Sequence, residues 1–556
     1  MAPRPCEAQI AAPSQVTPQN LRPPDRDQGQ GISVSSDTAL SPPPGADQLH
    51  VLLRDVRIEG AFADLSKQAE ALLDDVRGRR VSVARIYELA RSLERLHVRA
   101  GYALARVIVP PQNIADGGQL LIVVVDGFIE EVDASAIPER VRSVVLARVN
   151  ALVKRRHIKL VDIERALLIA GEVPGLNLRS AMVPGNSRGG TRLLLEGEHR
   201  LLSGSTTGDD RLPGSLGTWQ LRGSVAANGA FGLGEQIYAT AGSSVNLRGN
   251  ADGSAPLSVY GGGAIVPIGN DGLAVNPEYT HSVTRTAPLP GVPASMGTFD
   301  RFSLRLRDPV IRTRQTSLNI GASIEYISQQ VGAPAFNVLL SNDRYAVIRM
   351  GPDYLTSLPW GGALQAGGSI SGGIGGRSDA DVLLSRVPLS RLGAGPNFLK
   401  LNGSLSVSQP LGNGFRLDVN SLAQLSMGTP MLRSEQFALD GTNAVSAFAS
   451  GTINVDQGAT LRGEFVRPIA VRSASMNAAV SPYVFVAIGH GELFCPTALE
   501  RSVINVGALG IGTRGVIQPG ISYPSLTIGI ELARQFTDIP SLRQGWRSNV
   551  NASMEF

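Results

Sequence analysis

The sequence lacks any stretch approaching the ~20 consecutive apolar residues that a membrane-spanning helix needs. Charge is also sparse: only 18% of the 556 residues are charged, and mean hydropathy is +0.05. Hydrophobicity is therefore spread thinly over many short segments. A chain of this kind can enter a bilayer only as a closed barrel, because lipid offers the backbone no hydrogen-bond partner. Cysteine is almost missing. Cys6 and Cys495 form neither a CxxC pair nor a metal-ligand spacing, and they are expected on opposite sides of a membrane, unable to pair. His50, His97, His157, His199, His281 and His490 are scattered, with no HExxH among them, so no metal and no cofactor is expected. No nucleophile motif and no GxxxxGK[ST] loop occur, which argues against an enzyme and against a nucleotide site. Lysine is scarce, the net charge is +4, and the densest basic run is Lys154-Arg155-Arg156, which reads as a solvated helix end rather than a nucleic-acid contact. Residues 1–20 do not show the apolar core behind a basic start that marks a secretory signal.

What is present falls into three textures. Residues 1–48 are rich in Pro, Gln, Asp and Ser, with Pro23-Pro24 and Pro42-Pro43-Pro44. They bury too little apolar surface to offset ordering, which predicts a flexible tail or linker, and the prolines speak against a long helix that could plug a pore. Residues 49–127 read strand (Val51 to Ile58), helix (Leu65 to Val76), helix (Val81 to Leu96), strand (Tyr102 to Val109), strand (Leu120 to Val125). Residues 128–200 repeat that order, with strands at Phe128 to Val132, Leu176 to Val183 and Thr191 to Leu195 and helices at Ile137 to Leu152 and Leu160 to Ala170. The recurrence predicts two tandem α+β domains.

From residue 201 to 556 helix signals vanish and period-two alternation takes over. Phe302, Leu304 and Leu306 alternate with Ser303, Arg305 and Arg307, and Leu526, Ile528, Ile530 and Leu532 with Thr527, Gly529 and Glu531. One apolar face fits a sandwich as well as a membrane barrel. Two features favour the barrel: the alternation runs for the whole segment without a domain break, and the chain ends in a strand-like stretch closing on Phe556. At about ten residues per tilted strand plus turns and loops, an all-β transmembrane barrel of about 16 antiparallel strands is expected, lipid outside and a polar, Arg-bearing lumen inside. Phe556 is the candidate C-terminal signal for insertion by the barrel-assembly machinery.

Residues 49–556 resemble, in order, the outer-membrane transporters of two-partner secretion, the haemolysin secretion/activation family. The segments that carry the likeness are Ala100-Gly101-Tyr102-Ala103-Leu104-Ala105-Arg106-Val107-Ile108-Val109-Pro110-Pro111-Gln112, then Ala115-Asp116-Gly117-Gly118 and Val123 to Val132. These are similar to the family's first polypeptide-transport-associated (POTRA) domain. Phe231-Gly232-Leu233-Gly234-Glu235-Gln236 looks like the first barrel hairpin, and Ser434-Glu435-Gln436-Phe437 like the approach to a sixth outer loop that folds back into the pore. The resemblance implies tandem POTRA domains in the periplasm, a barrel in the outer membrane, and export of an unfolded exoprotein without ATP. It implies that a strand edge at Tyr102, Leu104, Arg106 and Ile108 captures the exoprotein by strand addition. It also implies a pore-loop gate or anchor at Val445, Ser446, Ala447 and Phe448, facing a barrel-strand motif at Phe485, Ala487 and Gly489. There the sequence departs from the family, whose loop carries an Arg where Ser446 stands and whose strand carries an Asp where Ala487 stands. Losing both partners removes the penalty of a stranded charge. An apolar anchor with Phe448 against the wall is therefore expected, with a pore that has drifted in function as the alternative. A barrel-assembly factor and a passive porin are the alternative functions.

Overall fold

The computed structural model describes residues 12–21, 33–34, 41–245, 249, 253–288, 293–473, 476–498, 500–518, 525–542 and 544–556. Two small α/β units precede a closed barrel. In the first, His50–Glu59, Arg80–Ser82, Arg106–Ile108 and Gly118–Val125 form one sheet, covered by helices Ser66–Leu73 and Val83–Arg99. The longer helix starts where the Ser82 hydroxyl accepts from the Arg85 amide, and Ile86, Leu89, Ala90 and Leu93 recur on one buried face. In the second unit Phe128–Ala136, Leu176–Pro184 and Gly190–His199 form the sheet under helices Glu139–Val149 and Leu160–Gly171. Ser33–Val34 adds a parallel fourth strand on Leu176–Pro184.

The stretch read from sequence as one strand, Tyr102 to Val109, is corrected by the structure: only Arg106–Ile108 is a strand. Residues before it cross between the two units. Leu104 packs in the core of the second unit beside Ile137 and Val141, and a Cβ on Gly127 would strike the Leu104 carbonyl. Tyr102 is buried in the first unit's core, edge-on to Phe62 at 4.7 Å, with its hydroxyl donating to Asp64 at 2.7 Å. This segment is the join between the units, so burial at the junction won over strand propensity.

The barrel contains 16 antiparallel strands, from Leu202–Asp209 to Trp546–Glu555. Gln457–Val466 and Ile469–Ser473 count as one strand, broken at Arg467 and Pro468, because both keep a single register against Met476–Glu492. The expected fold class is borne out. Register also sets the height of the lipid band. Tyr279, Phe302 and Tyr326 stand side by side on the outer face. Toward the periplasm the next row is Leu304, Ile324 and Ile348. Toward the outer loops the next row is polar: Tyr260, His281, Asp300, Ser328 and Arg344, with Asp300 accepting from Tyr279 at 2.6 Å and lying 2.7 Å from His281 Nδ1. An aromatic girdle above apolar side chains and below polar ones is what an outer membrane–water interface selects.

The second unit is tied to the periplasmic rim. Arg165 donates to the carbonyls of Pro309 (2.7 Å) and Val310 (3.0 Å), Arg312 pairs with Glu172, and Arg140 donates to the Ala230 carbonyl at 3.0 Å. His199 lies under the turn at Gly229, and burial there lowers its pKa below the ordinary 6.5. Folded His199 thus binds fewer protons than unfolded His199, so its contribution falls as pH drops through about 6.5. We expect limited proteolysis of the unit–barrel junction to accelerate below that pH, and His199→Gln to flatten the acid limb; an identical acid limb in the variant would place the titration elsewhere.

The proline-rich N-terminal stretch requires a second correction. Residues 12–21, expected to be flexible, lie inside the barrel. Pro13–Val16 makes a single helical turn flanked by extended backbone at Ala12 and Thr17, and the chain bends again at Gln19. Val16 packs with Leu212, Leu216, Leu257 and Val259, and Leu21 with Ala226 and Tyr238. Among the described residues of this stretch the helical part is that one turn; two apolar side chains and bonded backbone groups seat the segment.

Candidate functional site

The loop between strands Phe415–Leu425 and Gln457–Val466 is the sixth outer connection, and it enters the lumen. Its first limb is held by Glu435. The carboxylate, 1% exposed, accepts from Tyr345 (2.7 Å) and from both terminal nitrogens of Arg349 (2.7 and 3.0 Å), and it lies 2.8 Å from Lys400 Nζ. Asp440 shapes the loop by accepting from the amides of Gly451 (2.9 Å) and Ile453 (2.7 Å).

The tip then meets the wall. Val445, Ser446, Ala447 and Phe448 are all buried, and Val445, Ala447 and Phe448 belong to one apolar cluster with Phe485, Ala487, Val506 and Ala533. Gly489 lies beneath Val445, where a Cβ would come 3.4 Å from a Val445 methyl and 2.9 Å from Val506. The structure therefore brings the loop residues and the strand motif together, with Phe448 packed as an anchor.

The anchor is not purely apolar, however. Arg462, 1% exposed, stands directly across the strand pair from Ala487. It donates to Ser446 Oγ at 2.5 Å, to Glu531 at 2.7 Å and to Glu464 at 2.7 Å, and its guanidinium lies 3.8 Å above the Phe485 ring. Ser446 in turn donates to Glu531. Arg514 completes the network on Glu464 at 2.7 Å and stacks on Tyr483. Carbonyls of the tip are held as well: Asn549 donates to Ser446 O at 3.0 Å, and Gln535 to Ala447 O. The cation missing from the loop is thus supplied by the wall, and Ser446 is the group that receives it. Arg462 and Glu531 were not identified from sequence as site residues. The available signal was a charged residue on the inward phase of strands whose other phase is apolar, as in Leu461, Gly463 and Phe465 against Arg462 and Glu464.

On the periplasmic side of this network lies a cavity of about 440 Å³, lined among others by Gln365, Ser406, Arg416, Asp418, Asn443 and Arg514. Most of its lining residues are polar, with Leu355, Ala363 and Val407 among them, and it belongs to the lumen half nearest the small domains.

Residues 189–512 match the family model described as haemolysin secretion/activation protein ShlB/FhaC/HecB, and residues 51–127 match the ShlB-type POTRA domain. The chain belongs to this family. It is a two-partner secretion transporter of the outer membrane. Among relatives, the outer membrane transporter CdiB of Dickeya dadantii is 24% identical over 428 residues, covering 74% of this chain and 71% of that protein. The haemolysin transporter protein ShlB of Serratia marcescens is 28% identical over 162 residues, covering 29% of this chain and 28% of its own. The solved structure of CdiB from Escherichia coli superposes with a TM-score of 0.69 at 17% identity, covering 98% of this chain and 94% of that one. Transporters of this family work with a secreted exoprotein partner.

In the POTRA domain that the family model matches, Arg106–Ile108 is an outer strand of its sheet. Its Val107 amide is already taken by the Glu94 carboxylate at 3.0 Å, and Arg106 turns back onto the carbonyls of Ala103 and Ala105. Ile108 is half-buried, while Tyr102 and Leu104 lie at the domain join. The four residues expected to line a captured strand therefore do not form one open edge. Phe556 sits at the barrel seam. It exchanges backbone hydrogen bonds with Gly204 at 2.9 and 3.0 Å, and its ring covers that glycine. A Cβ at 204 would lie 2.5 Å from the ring and 2.9 Å from the Ser224 carbonyl. Gly204→Val is therefore expected to lift Phe556 off the seam and reduce the fraction of barrel that keeps its folded mobility on unheated denaturing gels. Unchanged mobility would show that the seam does not depend on this contact.

Proposed function

We propose that this transporter receives one unfolded exoprotein in the periplasm, through its POTRA domains, and passes it outward through the lumen without nucleotide hydrolysis. The observation that carries this reading is the stacking of three things on one axis: small domains fixed to the periplasmic rim, a polar cavity above them, and a loop anchored on buried charge across the pore. Folding of the exoprotein outside would prevent its return, so no energy source beyond folding is required. Capture by strand addition is supported by Leu176–Pro184, where Ser33–Val34 of the same chain already pairs in parallel. Arg106–Ile108 is a shorter and partly capped edge. Insertion by the barrel-assembly machinery is read from Phe556 at the seam, and the aromatic girdle would face lipid.

The test is deletion of the gene in its host. Loss of one large exoprotein from the medium, with other outer-membrane proteins at normal levels, is the expected result. A general fall of outer-membrane barrels would replace the reading by an assembly role, and retention of every secreted protein would leave a passive pore.

A further inference from the structure

The lumen wall addresses residues 12–21 mainly through their backbone. Glu278 accepts from the Leu21 amide at 3.2 Å, and Thr240 donates to the Leu21 carbonyl at 3.4 Å. Arg301 donates to the Pro18 carbonyl and Arg305 to the Gln19 carbonyl, each at 3.0 Å. Gln329 accepts from the Ser14 amide at 3.4 Å. The wall groups are fixed before any peptide arrives, because Arg301 and Arg305 are both ion-paired to Glu278, at 3.3 and 3.0 Å. Gln329 is 1% exposed, and its side-chain amide nitrogen is a buried donor without a hydrogen-bond partner. The Thr17 hydroxyl, 2.7 Å from Ser282, adds a polar side-chain contact with this wall. Amides and carbonyls recur in every polypeptide whatever its sequence, so a surface built to bond them accepts any extended chain.

We propose that the inner faces of strands Gln236–Ser244, Ala274–Thr286, Ser295–Arg312 and Thr316–Ala333 form a backbone-reading track for extended polypeptide. Glu278 is its fixed acceptor and Arg301 and Arg305 its fixed donors, and residues 12–21 occupy the track as a resident stand-in for a chain in transit. The proposal rests on the translocator reading above and names the part of the lumen that would carry the substrate.

The resident segment can be weakened without deleting anything. Leu21 is buried against Tyr238 beside Glu278, so Leu21→Asp sets two carboxylates against each other. The probe is a fluorescein-labelled 12-residue peptide of Ala, Ser, Thr, Gly and Gln, added to the full-length chain in detergent and read by anisotropy. Leu21→Asp is expected to bind it at least tenfold more tightly than the parent. A scrambled peptide should bind within twofold of the first, and a twin N-methylated at alternate amides at least tenfold more weakly. Adding Glu278→Gln should cost at least tenfold more. A twin that binds as well as the unmodified peptide, or a scramble that binds tenfold worse, overturns the track. Because Leu21→Asp could disturb folding, a second variant uses Thr17→Cys with Ser282→Cys, in a background with Cys6→Ser and Cys495→Ser. Its oxidised form should bind the peptide at least tenfold more weakly than its reduced form, and equal binding also overturns the proposal. The translocator reading has a separate arm: a parent chain that exports no exoprotein in the host sinks that reading whatever the peptide does. Normal export with unaltered peptide affinity in Glu278→Gln sinks the track alone.

Discussion

Arg462→Met is expected to weaken the hold of the barrel wall on the tip of the sixth loop and to lower the heat resistance of the folded barrel more than any substitution on its lipid face. The side chain is fully buried, bonded to Ser446, Glu464 and Glu531 at once, and stacked on Phe485. Methionine keeps much of the volume and the contact with the ring, so the loss isolates the charge. Glu464 retains Arg514, but Glu531 is left buried with only hydroxyl donors, Ser446 and Tyr483. Removing one partner of a buried ion pair costs about 3–5 kcal/mol, and removing both can be close to neutral. Arg462→Met with Glu531→Gln should therefore recover a large part of the loss. The measurement is the temperature at which the compact band on a denaturing gel is converted to the extended one. A single variant as stable as the parent, or a double as damaged as the single, would show that the network does not hold the tip.

The same geometry changes what restoring the family's own residues should do. From sequence alone, Ser446→Arg and Ala487→Asp are expected to be tolerated together better than apart. With Arg462 directly opposite 487 and 2.5 Å from Ser446 Oγ, the two positions are no longer equivalent. Ala487→Asp gains a cation across the strand pair, whereas Ser446→Arg forces two guanidiniums together. We expect Ser446→Arg to be the more damaging single change, and Ser446→Arg with Arg462→Ser, which moves the charge from wall to loop, to recover the compact band. Equal damage in both would mean that position, and not charge, is what the site reads.

Much of this architecture was legible because it follows from local periodicity. Alternation such as Leu526, Ile528, Ile530 and Leu532 against Thr527, Gly529 and Glu531 assigns faces without knowledge of partners, and the barrel follows from the need to close every edge in lipid. Helices Val83–Arg99 and Leu160–Gly171 were equally plain from their apolar spacing. What sequence could not supply was contact between distant strands. Arg462 and Glu531 are 69 positions apart and meet only because the barrel curves between them. Residues 12–21 carry composition typical of unfolded chain, and nothing local says that a wall of Glu278, Arg301 and Arg305 will bond their backbone. Leu104 misled for the opposite reason: its strand-like neighbourhood is real, but the core it enters belongs to the next domain.

Glu435→Gln attacks the loop at its other end, and its expected effect is nearly as large. The substitution leaves Arg349 with Glu325, 3.2 Å away, as its remaining carboxylate, and leaves Lys400 with the Gln424 side chain and the Glu435 backbone carbonyl. Buried Lys400 and half-buried Arg349 then share one anion, so a loss approaching that of a broken buried pair, about 3 kcal/mol, is expected. Lys400→Met in the same chain should restore part of it by removing the surplus charge. The informative comparison is with Arg462→Met. Glu435 holds the limb and Arg462 the tip, and between them the loop is stiffened by Asp440 and by the cluster around Val445 and Phe448. A rigid segment pinned at two points stays in place when one pin is drawn. Each single variant should therefore retain parental conductance in planar bilayers while losing heat resistance, and only Glu435→Gln with Arg462→Met should open a wide channel. Conductance that rises as much in either single variant as in the double would show that the loop turns on one anchor, and that the second serves only to stabilise the wall.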